Sequence, residues 1–202
     1  MGLVIMGAGG LASETLEWIQ QEMDLFTDIK FYADFSDRKT LFDIPIVTSL
    51  DNLKGSFFLT AIGNPQLKQQ FYDKARSNGL IPCAPLITKK TTVARSALLR
   101  DNTIVAPNAT ITSRVSIAHS ATIHYGCTIG HDCNINEFFT ALPGCNISGN
   151  VQIGKYVTVG ANACIREKIS ICDNVFIGMG AAVVKDIKEA GTYVGVPAKR
   201  IK

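Results

Sequence analysis

An apolar residue recurs at every sixth position between positions 93 and 183 of the chain. Apart from Ala141, every residue in this series is valine, isoleucine or leucine. A fixed short period of this kind predicts a parallel β-helix, in which each coil stacks its aliphatic side chains on those of the coil below. An amphipathic helix would need apolar residues at spacings of three and four, and the segment lacks that pattern. The series is Val93, Leu99, Val105, Ile111, Ile117, Ile123, Ile129, Ile135, Ala141, Ile147, Ile153, Val159, Ile165, Ile171, Ile177 and Val183.

A second position, four residues after each aliphatic residue, carries small or β-branched side chains that suit a tight interior corner. Phe139 is the one misfit in this second series. Cys127, Cys133 and Cys145 also belong to it, and a free thiol there acts as a compact apolar group. Because no Cys-x-x-Cys pair supports a zinc site, we interpret these three cysteines as packing residues.

The first 85 residues follow a different pattern, in which short apolar strands alternate with helices. This order predicts a small parallel, Rossmann-like α/β sheet that binds ligands at the carboxyl ends of its strands. We therefore expect an α/β domain at residues 1–85 and a β-helix at residues 88–202. Residues 191–202 leave the six-residue phase and are expected to cap the open end of the coil. The predicted strands are residues 3–6, 29–33 and 57–62, and the predicted helices are residues 11–22 and 66–78.

The chain of 202 residues has a formal net charge of +3, and its basic residues form no run. This distribution argues against a dedicated nucleic-acid or membrane surface. No stretch approaches the ~18 apolar residues needed to span a bilayer. Gly7, Gly9 and Gly10 stand where a signal peptide would carry its apolar core, so we expect a cytoplasmic protein.

Three hexads form one coil, so residues 18 positions apart lie above one another. By this rule His131 lies between Ser113 and Gly149, with Glu167 and Lys185 farther along the same edge. Gly149 leaves space above the imidazole and offers a backbone N–H to a developing oxyanion. A neutral imidazole, with an unperturbed pKa of ~6.5, accepts a proton near neutral pH. His131 is therefore a candidate general base, worth about 10²–10⁴-fold in rate, although many surface histidines lie beside a glycine.

The other two histidines lie in different columns. His119 falls between Asp101 and Glu137, with Lys155 next, and this alternation of acid and base predicts a solvated edge held by weak ion pairs. The column of His124 contains Ala106, Leu142, Gly160 and Gly178.

Five segments of the coil form a specific set of motifs. They are Ile-Gly-His-Asp-Cys at 129–133, Leu-Pro-Gly at 142–144, Ser-Gly-Asn-Val-Gln-Ile-Gly at 148–154, Gly-Met-Gly-Ala-Ala-Val-Val-Lys-Asp at 178–186 and Gly-Val-Pro-Ala-Lys-Arg at 195–200. Together with Gly-Ala-Gly-Gly at 7–10 and Ala-Ile-Gly-Asn at 61–64, they resemble the bacterial sugar acetyltransferases of the NeuD/PglD type. Members of that family transfer an acetyl group from acetyl-CoA to sialic acids or to nucleotide-linked amino sugars. The glycine turn alone would also fit a dinucleotide fingerprint.

The resemblance implies that the coil is a left-handed β-helix of hexapeptide repeats and that the protein is a homotrimer. It implies that acetyl-CoA lies in the groove between adjacent subunits, and no metal is expected. In this family pattern His131 is the general base, Asp132 assists it, and the Gly149 N–H faces the thioester carbonyl oxygen. The acetyl group would pass directly from donor to acceptor.

Residues for the two substrates are assigned on the same basis. For acetyl-CoA we expect a flat wall at Gly160 and Gly178. Lys185 and Lys199 either meet the phosphates or are simply solvated surface lysines. The α/β domain is expected to hold the nucleotide of an activated sugar, and the acceptor residues are Gly9, Gly10, Asp34, Asn64 and His124.

The chain departs from the family pattern at three positions. Thr140 stands where amino-sugar acetyltransferases often have a second histidine, His124 where asparagine is common, and Thr88 where histidine is common. We expect these positions to touch the sugar or the acetyl donor, so they leave the acceptor and its nucleotide open.

The favoured function is N-acetylation of a nucleotide-linked amino sugar in bacterial surface glycan biosynthesis. O-acetylation of a sialic-acid-like or other sugar is the alternative within the same class. A metal hydratase is a second class, because His119 and His124 have the spacing of paired zinc ligands in β-helix carbonic anhydrases. A catalytic zinc needs three protein ligands, and no histidine precedes His119. A non-catalytic trimeric β-helix module is the third class.

Overall fold

A computed structural model describes residues 1–22 and 26–202 of the chain. The N-terminal part is a twisted sheet of six strands in the order β3-β4-β2-β1-β5-β6. Its pairs are parallel except for the hairpin of β3 and β4. The elements are β1 Gly2–Met6, α1 Gly10–Glu22, β2 Asp28–Tyr32, β3 Thr40–Leu41, β4 Ile44–Val47, β5 Phe57–Thr60, α2 Pro65–Ser77 and β6 Ile81–Pro82.

The three strands and two helices expected from the sequence are all present, with bounds shifted by one or two residues. The hairpin of β3 and β4 and the short strand β6 carry no clear signal in the sequence. The two helices pack on opposite faces of the sheet. Ala12, Leu16 and Ile19 of α1 belong to one apolar cluster, and Phe71 and Ala75 of α2 belong to another.

From residue 86 onward the chain winds into a parallel β-helix with three flat sheets. The first sheet contains β7 Leu86–Ile87, β10 Ile104–Val105, β13 Thr122–Ile123, β16 Thr140–Ala141, β19 Thr158–Val159, β22 Val175–Ile177, β24 Gly191–Val194 and β25 Lys199–Arg200. The second contains β8 Thr92–Val93, β11 Thr110–Ile111, β14 Thr128–Ile129, β17 Asn146–Ile147, β20 Cys164–Ile165 and β23 Ala182–Val183. The third contains β9 Leu98–Leu99, β12 Ser116–Ile117, β15 Asn134–Ile135, β18 Gln152–Ile153 and β21 Ser170–Ile171. The prediction of a left-handed β-helix of hexapeptide repeats behind a small α/β sheet is confirmed.

The register of the coil agrees with the 18-residue step. Ile123 pairs with Val105 below it and with Ala141 above it. The aliphatic series and the small-residue series together fill one continuous apolar core, in which Phe139 is fully buried. Cys127, Cys133 and Cys145 lie in this core as free thiols, as their place in the repeat predicts.

Each corner of the coil contains one residue in the left-handed region, and this residue recurs at every sixth position from Asn102 to Gly180. Asparagine, aspartate and glycine adopt that conformation most readily, which explains their frequency at these corners. At the C-terminal end, β24 extends the first sheet in parallel with β22 and pairs antiparallel with β25. No helix among the described residues is both long enough and apolar enough to traverse a bilayer.

The α/β unit packs on the outer face of the first sheet of the coil. Ile104 and Ala106 contribute to the same apolar cluster as α1. The buried amide of Asn102 joins the two parts, because its Nδ2 donates to Phe58 O at 2.9 Å and its Oδ1 accepts from Thr60 N at 2.9 Å. The end of β5 is therefore held against the coil.

The prediction of a solvated edge at His119 is correct only in part. Lys155 and Glu137 form a weak ion pair at 3.4 Å in this column, but aromatic side chains cover the His119 ring. Tyr72 of α2 stacks on the His119 ring with centroids 5.0 Å apart, and Phe138 meets the same ring edge-on at 5.1 Å. Helix α2 covers this corner of the coil, which spacing within the repeat alone does not reveal.

Candidate active site

His131 lies at the corner that joins β14 of the second sheet to β15 of the third. Its side chain is 56% exposed, and its Nδ1 lies 2.6 Å from Oδ2 of Asp132. Asp132 has a φ of 59°, and its carboxylate also receives two hydrogen bonds from Arg114, one coil below. Arg114 Nε donates to Oδ1 at 2.6 Å, and Nη2 donates to Oδ2 at 2.9 Å. The three side chains form a continuous Arg–Asp–His arrangement on the surface of the coil.

The Asp132 carboxylate selects one tautomer of a neutral His131 imidazole. The Arg114 guanidinium, followed by His131, lowers the pKa of Asp132 to about 2. The carboxylate is thus ionised over the whole physiological range and accepts a hydrogen bond from Nδ1–H of His131. Because a neutral imidazole carries one proton, this tautomer leaves a lone pair on Nε2. In this orientation Nε2 is the nitrogen that can accept a proton.

Gly149 lies directly above the imidazole, as the 18-residue step predicts. A Cβ placed on Gly149 would lie 2.7 Å from His131 Nε2 and 2.8 Å from its Cε1. No side chain fits there while the ring keeps its position. A Cβ on Gly130 would lie 2.6 Å from Gly149 N, so this second glycine keeps the amide uncovered. Among the described residues, the Gly149 N–H has no hydrogen-bond partner.

The glycines assigned to acetyl-CoA are needed for the packing of the coil itself. Gly160 and Gly178 are both buried. A Cβ on Gly160 would lie 2.5 Å from Met179 N, and one on Gly178 would lie 2.7 Å from Val194 Cγ1. Their missing side chains make room for the next coil and the C-terminal strand. Both glycines are buried within a single chain, and their role as a wall for acetyl-CoA stays a prediction.

Lys185 and Lys199 lie close together at the C-terminal end of the coil. Both side chains are exposed, and both border one cavity of about 330 Å³ that Tyr193 and Pro197 also line. The structure therefore brings the two predicted phosphate ligands to one place.

The glycine turn of the α/β unit forms a separate cavity of about 330 Å³, which Gly9 and Gly10 line. Its other walls come from residues that follow β1, β2 and β5, such as Ala33 and Gly63. The cavity thus lies at the carboxyl ends of parallel strands, where α/β sheets bind ligands.

Asp34 and Asn64, which were also expected in this pocket, make contacts with other parts of the α/β unit. Asp34 lies outside the cavity lining, accepts a hydrogen bond from Tyr32 Oη at 2.6 Å and forms an ion pair with Lys74. Asn64 is the N-cap of α2, since its Oδ1 accepts from Leu67 N at 2.9 Å. Asn64 instead borders a larger cavity of about 540 Å³ between α2, the upper coils and the C-terminal strands.

His124 is buried with 8% of its surface exposed, and its Nδ1 has no hydrogen-bond partner among the described residues. Burial, and then the charge of Lys68, lower the pKa of His124 to about 4. The ring is therefore neutral at physiological pH, and it lines neither the glycine-turn cavity nor the large one.

Two residues of this region were not predicted from the sequence to belong to the site. Arg114 stands 18 positions before Asp132, so the rule that paired His131 with Gly149 was sufficient to find it. Lys68 lies on α2 and reaches the coil across a tertiary contact, for which the sequence gives no signal. No group of three or more histidine, cysteine, aspartate or glutamate side chains among the described residues is arranged to hold a metal ion.

The chain is similar over its full length to known sugar acetyltransferase structures. The acetyltransferase domain of PglB from Neisseria gonorrhoeae FA1090, in complex with acetyl coenzyme A, has a TM-score of 0.91 and 26% identity over 99% of this chain and 98% of that domain. A histidine-to-asparagine variant of perosamine N-acetyltransferase from Caulobacter crescentus, in complex with CoA and GDP-perosamine, has a TM-score of 0.91 and 25% identity over 100% of this chain and 97% of that one. WeeI from Acinetobacter baumannii AYE shares the fold, with a TM-score of 0.92 at 22% identity over 100% of both chains.

Sequence comparison gives less support for this similarity than structural comparison does. No protein-family model matches the chain. A probable mitochondrial UDP-3-O-acylglucosamine N-acyltransferase of Arabidopsis thaliana is 37% identical over 51 residues, which is 25% of this chain and 17% of that protein. The resemblance to hexapeptide-repeat sugar acetyltransferases therefore rests on the similarity of the whole structure.

Proposed function

We propose that this protein transfers the acetyl group of acetyl-CoA to the amino group of a nucleotide-linked amino sugar. The observation that carries the proposal is the Arg114–Asp132–His131 arrangement beneath the bare amide of Gly149. This arrangement combines a base, its orienting carboxylate and an oxyanion donor at one exposed corner. The similarity to a perosamine N-acetyltransferase with bound CoA and GDP-perosamine supports the choice of donor and acceptor.

The geometry supports the following steps of the reaction. The amine of the sugar attacks the thioester carbonyl carbon while His131 Nε2 removes a proton from the amine. The Gly149 N–H donates a hydrogen bond to the oxyanion of the tetrahedral intermediate. When the C–S bond breaks, the imidazolium returns its proton to the thiolate of CoA. The carboxylate of Asp132 stabilises the imidazolium between these two steps and holds the ring in place.

No residue needs to form a covalent bond with the acetyl group. Cys133 is the nearest thiol in sequence, but it is 1% exposed and directed into the core of the coil. Burial raises its pKa, which keeps the thiol protonated and unreactive.

A homotrimer is part of the proposal because the two halves of the site lie on different sides of one chain. His131 lies at the corner between the second and third sheets, whereas the α/β unit covers the first sheet. A nucleotide sugar held at Gly9 and Gly10 therefore cannot meet His131 of the same chain at that corner. A neighbouring copy that places its His131 corner beside the first sheet would complete the site.

The assignments within each substrate site are also proposals. Gly9, Gly10 and Asn64 line the acceptor side, with Asp34 and His124 near it, and the exposed pair Lys185 and Lys199 meets phosphates of acetyl-CoA. Gly160 and Gly178 contribute by letting the coils pack closely at the wall of the groove. We place the reaction in the bacterial cytoplasm, as a step in the biosynthesis of surface glycans.

The test uses the purified protein, acetyl-CoA and a panel of acceptors. The panel contains GDP-perosamine, a UDP-linked amino sugar, free sialic acid and the free amino sugars. Release of the CoA thiol and the mass of the product report transfer. We expect turnover of nucleotide-linked amino sugars, and a loss of about 10²–10⁴-fold in kcat in the His131→Ala variant.

Other outcomes identify the alternatives. Turnover of free sugars alone, with an acetyl ester as product, would replace the proposal by O-acetylation. If no acceptor is acetylated, the remaining hypothesis is a non-catalytic trimeric β-helix module. Full activity of the His131→Ala variant, with its oligomeric state unchanged in light scattering, would remove the catalytic assignment.

A further inference from the structure

Lys68 is a fully buried lysine between helix α2 and the coil. Its Nζ donates hydrogen bonds to Thr122 Oγ1 at 3.0 Å, to Thr140 Oγ1 at 2.8 Å and to Phe139 O at 2.9 Å. These three bonds use all three protons of the ammonium group. All three acceptors belong to the first sheet of the coil or to the corner just before it.

This arrangement is costly for a residue that only connects two elements. Lys68 has no carboxylate partner in the part of the chain that the structure describes. The charge of Lys68 contributes to the lowered pKa of His124. Burial lowers the pKa of Lys68 to about 7, which measures how poorly the ammonium is compensated. An apolar side chain of similar volume would pack α2 on the coil without that penalty.

The hydrogen bonds continue from Lys68 to the cavities. Thr140 Oγ1 donates to Gly63 O at 3.0 Å. Gly63 lines both the glycine-turn cavity and the large cavity beside α2. The next residue, Asn64, caps α2 and also borders the large cavity. Lys68 is thus linked through one hydroxyl to the wall that the two cavities share.

We propose that Lys68 is a positioning residue for the acceptor, which acts through Thr140 to hold the turn at residues 63–64 against the coil. The turn then presents a fixed wall to the sugar end of a nucleotide sugar whose phosphates lie near the glycine turn. The inference rests on the proposed function, because it names a determinant of acceptor binding for that reaction.

The first test compares Lys68→Met with Gln70→Met, a control at an exposed position on the same helix. A tenfold loss in affinity corresponds to about 1.4 kcal/mol, and the loss of a hydrogen bond to a charged group is sufficient to cause it. We therefore expect the KM for GDP-perosamine, or for the UDP-linked amino sugar, to rise about tenfold in Lys68→Met. The KM for acetyl-CoA and the kcat should stay within about twofold, and Gln70→Met should match the wild type. An unchanged acceptor KM in Lys68→Met would overturn the inference.

Two further measurements keep the result interpretable. If Lys68→Met does not fold, Thr140→Val carries the test, because it removes only the hydroxyl between Lys68 and Gly63 and should raise the same KM. In NMR titrations of the folded Lys68→Met protein, the pKa of His124 should rise, because a positive charge near the ring is gone. A His124 pKa equal to that of the wild type would contradict the coupling of the two groups.

Failure of the proposed function would have a different signature. In that case the wild type transfers acetyl to none of the acceptors. Direct binding of GDP-perosamine, measured by calorimetry on wild type and Lys68→Met, then still decides whether Lys68 positions the nucleotide-sugar site. Equal dissociation constants, or absence of binding to both proteins, would overturn the inference.

Discussion

The substitution Gly149→Ala tests the catalytic geometry most directly, because it adds one methyl group and changes no charge. The new Cβ would lie 2.7, 2.8 and 3.1 Å from His131 Nε2, Cε1 and Cδ2. Ordinary contacts of this kind are about 3.5–4.0 Å, so the ring must move by roughly 1 Å. Gly149 is not among the glycines with positive φ, so alanine is compatible with its backbone. The exposed imidazole therefore moves, and the coil does not.

The expected loss in rate follows from this displacement. A misplacement of about 1 Å in a reacting group costs about 10²-fold in rate. We expect kcat of Gly149→Ala to fall about 10²-fold in the CoA-release assay, whereas the melting temperature changes little. The methyl group also lies beside the amide that would bind the oxyanion, and loss of such a donor costs about 10²–10³-fold.

A double-mutant cycle separates this effect from a general disturbance of the coil. In the His131→Ala background the ring that the methyl group displaces is already absent. Adding Gly149→Ala to that background should therefore lower the residual rate far less than it lowers the wild-type rate. Equal losses in the two backgrounds would show that the glycine does not act through the imidazole. A single variant with full kcat would show that the stacked geometry is not the active one.

Two further predictions concern the charged groups. Arg114→Ala should lower kcat only about two- to fivefold, because the Arg114 side chain is 64% exposed and solvent screens an exposed ion pair. A loss beyond 10²-fold in the same assay would make Arg114 part of the chemistry. Lys68 has a pKa of about 7 in the folded state against an ordinary value of 10.5, so between these pH values the unfolded chain binds the additional proton and stability rises with pH. Urea denaturation measures the free energy of unfolding of the wild type and of Lys68→Met at each pH. The difference between the two proteins should increase by about 2 kcal/mol from pH 7 to pH 9. A difference that does not change with pH would contradict burial of a titrating lysine.

The β-helix was predictable because its interior repeats the same environment at every coil. Each inward position must accept a side chain of nearly constant size, so the pattern of residues such as Ile123 and Ile129 determines the register without knowledge of distant contacts. The hairpin of β3 and β4 was not predictable in this way. Its strands are two and four residues long, and they are held by the pairing of β4 with β2 and of β3 with β4 rather than by an apolar repeat.

In the candidate site, too, contacts within the repeat were predictable and contacts with other parts of the chain were not. His131, Asp132 and Gly149 are related by steps within the coil, so their contacts follow from numbering alone. Tyr72 of α2 stacks on the His119 ring, and the charge of Lys68 on the same helix acts on His124, so the rule of 18 positions could not supply either contact. A repeat predicts the neighbours that the repeat itself supplies, and it says nothing about what packs on its outer faces.

The proposed catalytic residues and the proposed determinants of acceptor specificity lie in different structural elements. The coil supplies His131, Asp132 and Gly149 from a register that tolerates little change, because a shift of one residue would turn an inward side chain outward. The acceptor side depends instead on how α2 and the turn at residues 63–64 rest on the first sheet, and there Lys68 and Thr140 make the contacts. Changes at this contact can alter the shape of the shared wall without disturbing the base or the oxyanion donor. Thr140, which joins Lys68 to the turn, is therefore where we expect the choice of sugar to be encoded.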